Sequence, residues 1–355
     1  MFRGKNIAIA LFGESHGKCV GASLEGFPPG VKIDEGAIEG FMKRRRPGLD
    51  KLSTQRKESD IAEILSGVSN GITTGANIAF IINNADTRSE DYVGLECARP
   101  SHSDYTANIR YSGFNDPKGS GTFSGRLTAP IVFIGALCSQ LLKEHGVELG
   151  AHIKSIGSVC DDSFDYCNID KNTLRALKTK EFPTLSEKSA ELMTREILKA
   201  KENGDSIGGS IECCAINVKP GLGGPYFERV QSGIASLIFS IPAFYGLEFG
   251  NGILMSSLLG SEANDQIYAD EHGAFKTYTN NCGGINGGIT NSMPIVFKVF
   301  IKPTPSIAKK QKSIDIEQLK NKEFEIKGRH DPCVARRAAV VVESVLAIAL
   351  LDLYL

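Results

Sequence analysis

The sequence predicts an α+β protein, on three observations. Residues 127–143 and 338–351 are apolar stretches of helical length, and 294–302 alternates Ile295, Phe297, Val299 and Ile301 in the period of a strand. Strand-like and helix-like segments follow one another in mixed order, without the strand–helix–strand rhythm that builds a doubly wound sheet.

In chain order, 6–12 reads as a strand running into a glycine-flanked loop. Asp34 then stands as an N-cap ahead of Ile38, Phe41 and Met42 at helical spacing. That helix ends on Lys43, Arg44, Arg45 and Arg46, where Pro47-Gly48 stops it and basic residues suit the C-terminal end of the dipole. Residues 76–83 are β-rich. The stretch 127–143 has no breaker after Pro130, closes at Gly146 and reads as a mostly buried helix. An amphipathic helix is expected over 185–203, a strand over 210–218 and a further helix over 227–241. The lysine-rich stretch 309–327 reads as solvated loop, and 338–351 as a buried C-terminal helix. No composition shift, repeat or low-complexity segment divides the 355 residues.

Composition narrows the function. Basic residues number 40 against 41 acidic ones, so a general nucleic-acid or membrane-surface binder is not indicated, and anion recognition must come from local clusters. Nine cysteines, an odd count without a C-x-x-C pair, suggest neither a disulfide framework nor a zinc ribbon. Cys213 and Cys214, adjacent in a strand, are expected on opposite faces as reduced core fillers. The 338–351 stretch falls short of the ~20 residues a membrane span needs. The expectation is a soluble, cytoplasmic protein.

Four loops gather residues with chemistry. In Gly13-Glu14-Ser15-His16-Gly17, the glycines let the backbone bend and leave His16 accessible, either as a proton donor near neutral pH or as a surface histidine on a capped turn. In the run 99–105, Pro100 stiffens a turn that offers Arg99 as a planar fork for phosphate or carboxylate and His102 as a proton source. The plainer alternative there is local pairing of Asp104 with either of them. The run 118–126 places Gly119, Gly121 and Gly125 among small hydroxyl residues ahead of a helix, a setting for anion binding by free backbone N–H groups. It lacks both the G-K-[ST] ending of a P-loop and the spacing of a dinucleotide fingerprint. Finally, Arg329, His330 and Asp331 crowd the loop before the last helix, where Asp331-Pro332 also reads as an N-cap with proline at the first helical position.

No H-E-x-x-H, EF-hand or C-x-x-C pattern and no G-x-S-x-G elbow occurs, which disfavours metal catalysis and nucleophilic hydrolysis. Acid–base chemistry on a bound phosphorylated anion remains, with Arg44–Arg46 and Arg56 as further cations for a multiply anionic ligand.

At this point the chain resembles the chorismate synthase family, nearly end to end. Residues 12–17 resemble the family's F-G-E-S-H-G block, 44–48 its R-R-R-P-G, and Thr54-Gln55-Arg56 the T-Q-R that follows. Residues 99–105 are similar to R-P-G-H-A-D-Y, and 329–333 to R-H-D-P-C; Gly204-Asp205-Ser206-Ile207-Gly208 and Lys302-Pro303-Thr304 also match family blocks. The resemblance implies a single domain over 1–355 with a β-α-β sandwich fold, helices between antiparallel sheets, assembled as a homotetramer. It implies anti-1,4-elimination of phosphate from 5-enolpyruvylshikimate 3-phosphate to give chorismate, requiring reduced FMN without net redox change.

The resemblance also implies roles. His102 assists the departing phosphate, which benefits from an acid and from arginines that hold its charge. His16 keeps the flavin's protonation state, Asp331 acts with the flavin N5 in removing the ring proton, and Ser15 lies beside them. Arg45, Arg46, Arg56, Arg99 and Arg126 bind substrate, and Arg329 is shared with FMN. The flavin contacts carried over are Thr122, Phe123, Ser124, Ala243, Gly287, Lys302, Pro303, Thr304, Pro305 and Ser306. No metal is implied, and NADPH enters only as a source of reduced flavin, supplied by an external reductase.

Some positions depart from the family pattern. Where the family reads G-R-S-S-A-R-E-T-A, residues 121–129 read Gly-Thr-Phe-Ser-Gly-Arg-Leu-Thr-Ala, so an arginine and a glutamate are absent. Backbone N–H contacts do not depend on residue type. Pro242 replaces a usual asparagine and Pro305 a usual serine, each with loss of a donor, and Lys51 stands where some members have arginine. Two other readings remain open at this stage. One is a flavin-dependent reductase, which would oxidise flavin stoichiometrically; the other is a phosphoanion- or flavin-binding module whose histidines are structural.

Overall fold

Two five-stranded antiparallel sheets enclose a layer of helices in the computed structural model, which describes residues 1–47, 52, 58–85, 97–326 and 331–355. The first sheet comprises β1 (Phe2–Arg3), β2 (Ala8–Gly13), β3 (Cys19–Glu25), β4 (Ala62–Ile64) and β7 (Ile78–Asn83), in the order β1-β2-β3-β7-β4. Between β4 and β7 runs a small hairpin of β5 (Val68–Ser69) and β6 (Ile72–Thr73). The second sheet comprises β8 (Glu148–Ile156), β9 (Val159–Cys160), β10 (Gly209–Ile216), β11 (Phe244–Phe249) and β16 (Ile295–Ile301), in the order β11-β16-β10-β8-β9. Three more hairpins stand as separate two-stranded sheets: β12 (Ile267–Ala269) with β13 (Phe275–Thr277), β14 (Ile285–Asn286) with β15 (Ile289–Thr290), and β17 (Gln311–Ile314) with β18 (Asn321–Phe324).

Among the described residues the helices are α1 (Glu35–Arg45), α2 (Asp104–Arg110), α3 (Thr128–Glu144), α4 (Lys171–Thr179), α5 (Glu187–Glu202), α6 (Val230–Ile238), α7 (Gly260–Ala263) and α8 (Ala335–Tyr354). α3 and α8 are apolar almost all round, which is what a helix covered on every side requires. They lie against each other, α3 touching β3 and β7 and α8 touching β8 and β10. The α3–α8 approach is close because Gly135 has no side chain: a Cβ there would collide with Ser344. Residues Lys118–Glu144 contain an apolar window with a mean hydropathy of 1.4, enough by composition for a membrane span, but 83% of that window is buried inside the protein. One apolar core therefore runs from Ile7 through Leu351, joining both sheets.

The expected elements at 6–12, 76–83, 127–143, 185–203, 210–218, 294–302 and 338–351 are present as β2, β7, α3, α5, β10, β16 and α8. Asp34 caps α1 by accepting from the Ala37 N–H at 3.0 Å. Cys213 packs into the main core and Cys214 into a second cluster with Phe164, Leu174 and Leu177, as strand alternation requires; all nine thiols are free.

Three expectations fail locally. The helix over 227–241 is interrupted at Arg229, whose ψ of 140° is extended, leaving a short turn (Tyr226–Glu228) before α6. The 309–327 stretch forms the β17–β18 hairpin, its alternating polar residues being compatible with a two-stranded ribbon. Asp331 does not cap α8, which starts at Ala335 with Val334 at its N-cap; Asp331 pairs instead with Arg337.

Candidate active site

The loop after β2, the turn before α2 and the turn 118–123 meet. Ser15 N donates to the Gly121 carbonyl at 3.1 Å, and Ser120 Oγ lies 3.1 Å from His102 Nε2. The turn between them is left-handed at three successive residues, Gly119, Ser120 and Gly121, with φ of 57°, 73° and 51°. Glycine tolerates this at no steric cost; Ser120, buried, is held there by its bonds. Gly119 presses on the imidazole of His16 and on Ser15 Oγ, so the turn separates the two histidines.

Beside His102, the carboxylate of Asp104 accepts from Arg99 Nε at 2.7 Å and Nη2 at 2.6 Å, and its Oδ1 lies 3.2 Å from His102 Nδ1. The local pairing of Asp104 is thus realised with both partners at once. Burial alone would raise the Asp104 carboxyl, but its bonds to Arg99 and His102 outweigh this and hold it well below the usual carboxylate range. Arg99 Nη2 also reaches Ser120 Oγ at 3.2 Å.

The His16 loop is anchored from behind by Asn84, whose Nδ2 donates to the carbonyls of Glu14 at 3.0 Å and Gly17 at 2.8 Å. Asn84 Oδ1 in turn accepts from Arg126 Nε at 2.8 Å. Arg126 and Arg45, both buried, share one carboxylate: Arg45 Nε donates to Asp60 Oδ2 at 2.8 Å, and Arg126 Nη1 donates to Asp60 Oδ1. Glu58 adds a second negative charge 3.6 Å from Arg126. The next two cations of the α1 end are also paired, Arg46 with Glu39 at 2.8 Å and Arg44 with the wholly buried Glu343 at 2.6 Å. The arginine cluster is therefore balanced by carboxylates. Arg56 and Arg329, with Lys51, Thr54, Gln55 and His330, lie outside the described residues.

The expected flavin residues form a second group contiguous with the first. Lys302 N donates to the Ala243 carbonyl at 3.0 Å, and its ammonium donates to the Ser101 carbonyl at 2.7 Å, immediately before His102. The same ammonium stands 4.7 Å from the centre of the Tyr245 ring. Ser206 Oγ donates to the Thr304 carbonyl at 2.6 Å, and Ile207 N to the Pro332 carbonyl at 2.9 Å, which brings Asp331 next to the 302–306 segment. Thr122 and Phe123 are exposed, Phe123 beside the Tyr111 ring, while Ser124 Oγ accepts from Arg126 N. Pro303 and Pro305 lack donors, and Ser306 is buried. An ammonium, open backbone and an exposed aromatic ring suit an anionic, planar cofactor. Gly287 stands apart, in the β14–β15 hairpin near the start of α6.

Asp60, Glu58, Asn84 and Ser120 join the site although none of them is among the residues expected from the sequence. Ser120 lay inside a run already singled out by its glycines, whereas Asp60 and Asn84 carry no local signature.

Two histidines, an array of arginines and carboxylates that position them define an acid–base enzyme for a multiply anionic small molecule. The particular family follows from likeness to known proteins. A family model described as chorismate synthase matches residues 7–355. Curated relatives named chorismate synthase include that of Korarchaeum cryptofilum, 44% identical over 98% of this chain and 96% of its own, and that of Pyrococcus abyssi, 43% identical over 99% and 96%. A crystal structure of chorismate synthase superposes with a TM-score of 0.76 and 31% identity, covering 99% of this chain and 92% of its own. The chain belongs to the chorismate synthase family, and its β-α-β sandwich is that family's fold. Its reaction is the elimination of phosphate from 5-enolpyruvylshikimate 3-phosphate to form chorismate, which makes it a carbon–oxygen lyase of aromatic amino-acid biosynthesis.

Proposed function

We propose that the elimination is carried out by His102, His16 and Asp331, with reduced FMN held alongside. The observation that supports this most is the network Arg99–Asp104–His102–Ser120, which stands across the turn 118–123 from His16. His102 is the acid at the departing phosphate, and Arg99 neutralises the charge that grows on the leaving oxygens. His16 holds the proton that sets the cofactor's charge, with Ser15 beside it, and Asp331 is the carboxylate that takes up the ring proton. Reduced FMN, when bound, supplies transient electron density to the allylic system and is regained unchanged. Thr122, Phe123, Ser124, Ala243, Arg329 and the 302–306 segment hold it. Arg46, Arg56 and Arg329 bind the substrate's anionic groups, while Arg45 and Arg126, fixed on Asp60, form the buried floor that anchors the His16 loop through Asn84.

The chain acts as one domain, a reading supported by the single core that joins both sheets. Exposed Tyr226, Phe227, Tyr245 and Ile253 suit burial between subunits of a homotetramer. A cytoplasmic setting accords with nine free thiols. Reduced flavin comes from an external reductase drawing on NADPH.

The test is anaerobic turnover of 5-enolpyruvylshikimate 3-phosphate with photoreduced FMN. Chorismate and phosphate are expected in equal amounts, with flavin catalytic. Neither product from a folded, FMN-binding preparation would overturn the proposal, and NADPH oxidation by the purified protein would remove the external reductase.

A further inference from the structure

We propose that Asp104 is a positioning residue for the elimination, one carboxylate that orients both the guanidinium of Arg99 and the imidazole of His102. The inference rests on the reading of His102 as the acid. Asp104 Oδ2 accepts from Arg99 N at 2.9 Å as well as from Nε at 2.7 Å, so the carboxylate holds both the backbone and the side chain of Arg99. Its other oxygen faces Arg99 Nη2 at 2.6 Å and His102 Nδ1 at 3.2 Å. The three side chains are only 9%, 17% and 10% exposed for Arg99, His102 and Asp104, so water screens their interaction weakly.

His102 Nδ1 faces Ser103, through its N–H at 2.9 Å and its Oγ at 3.3 Å, and the Asp104 carboxylate, groups of opposite character. The Ser103 N–H donates to Nδ1 when the nitrogen is bare, and the Asp104 carboxylate receives its proton when it is protonated. In either state Nε2–H remains directed at Ser120 Oγ, 3.1 Å away. The ring can thus change charge without turning. When the acid acts, the Nε2–H bond breaks and an O–H bond forms on the departing phosphate. The Nδ1 proton stays behind on a neutral ring, facing Asp104. Asp104 does not transfer a proton itself, because it is ionised and already accepts from three Arg99 nitrogens.

Asp104→Asn keeps size and shape but puts an amide in place of the charge. Turnover is expected to fall about 100-fold, the scale on which loss of an orienting carboxylate is felt at a catalytic histidine. KM should rise as well, through Arg99, and Asp104→Glu should recover part of kcat. A cycle with His102→Ala separates this from a merely structural role: two residues that act as a unit give a double variant no slower than His102→Ala alone. The 15N resonance of His102 Nδ1 should also move in Asp104→Asn without any ligand present. Wild-type turnover in Asp104→Asn, losses that multiply in the cycle, or an unmoved Nδ1 resonance would each overturn the proposal. Normal turnover of His102→Ala with a moved resonance would instead remove the acid role of His102 and leave the orientation by Asp104 standing.

Discussion

Gly119 lies against the imidazole of His16, closely enough that no Cβ fits between them. Its φ of 57° is also one that L side chains seldom adopt. The prediction is that Gly119→Ala displaces His16 while the two sheets persist. Misplacement by about 1 Å at a reacting centre can cost on the order of 100-fold in rate. Steady-state chorismate formation should therefore fall at least about tenfold in a variant with unchanged circular dichroism. Undiminished turnover would show that His16 needs no exact placement.

Asp60 is the shared acceptor of Arg45 and Arg126, and replacing it by Asn leaves two buried guanidiniums with Glu58 alone to offset their charge. Removal of one partner from a buried ionic cluster typically costs about 3 kcal/mol or more. Burial by itself would raise the Asp60 carboxyl, but the two guanidiniums outweigh it and lower its pKa. A lowered folded value means that the contribution is complete above the ordinary aspartate pKa and is lost as pH falls through the folded one. Urea unfolding at neutral pH should show the full loss for Asp60→Asn, and the difference from the parent should shrink in strong acid. A difference independent of pH would contradict this.

A second buried cluster works in the opposite direction. His152 on β8 stands between Asp161, 3.1 Å from Nδ1, and Glu212 on β10, 3.0 Å from Nε2, with no exposure. Burial would lower the histidine, but the bonds to the two carboxylates overcome it and raise the pKa. Because the folded value is raised, this stability is complete below the ordinary histidine pKa and is lost as pH rises through the folded one. Asp161 is pulled down to about 2 mainly by His152 and the Leu185 and Ser186 amides, against a larger opposing effect of burial, so the acid side is protected until far lower pH. His152→Gln should lower unfolding free energy by about 3 kcal/mol near neutrality and flatten the alkaline decline. An unchanged alkaline limb would remove His152 as its source.

Asp352, on α8, accepts from the backbone N–H groups of Lys5, Asn6 and Ile7 at 2.8, 2.7 and 2.8 Å. Asp352→Ala leaves these three donors without that acceptor, at a cost of about 1–3 kcal/mol for each one that stays buried. Hydrogen exchange should accelerate first at Ile7, which is wholly buried, while β10 and β16 keep their protection. Uniform acceleration throughout would mean that the link is not local.

Much of this was legible because its causes are local. The Asp34 cap, the alternation that parts Cys213 from Cys214 and the all-round apolarity of α3 act within a few residues. The seven runs that match the family likewise are each contiguous. Asp60 escaped notice because its meaning comes from Arg45 and Arg126, 15 and 66 residues away. Asn84 reaches Glu14 across 70 residues in the same way. Around Asp104 the sequence offers local pairing with either Arg99 or His102, and the fold engages both at once, which no single-partner reading of a short turn contains.

The buried position of α8 bears on how the chain acquires its structure. This helix follows every strand of both sheets, yet it fills the space between them and holds the first strands through Asp352. Until it has emerged from the ribosome, β8 and β10 expose their inner face and α3 lacks its neighbour. Long-range docking of this kind delays completion of the core and prolongs exposure of sticky surface during synthesis. A chain truncated before Ala335 is therefore expected to aggregate rather than fold, because the helix it lacks sits at the centre of the core.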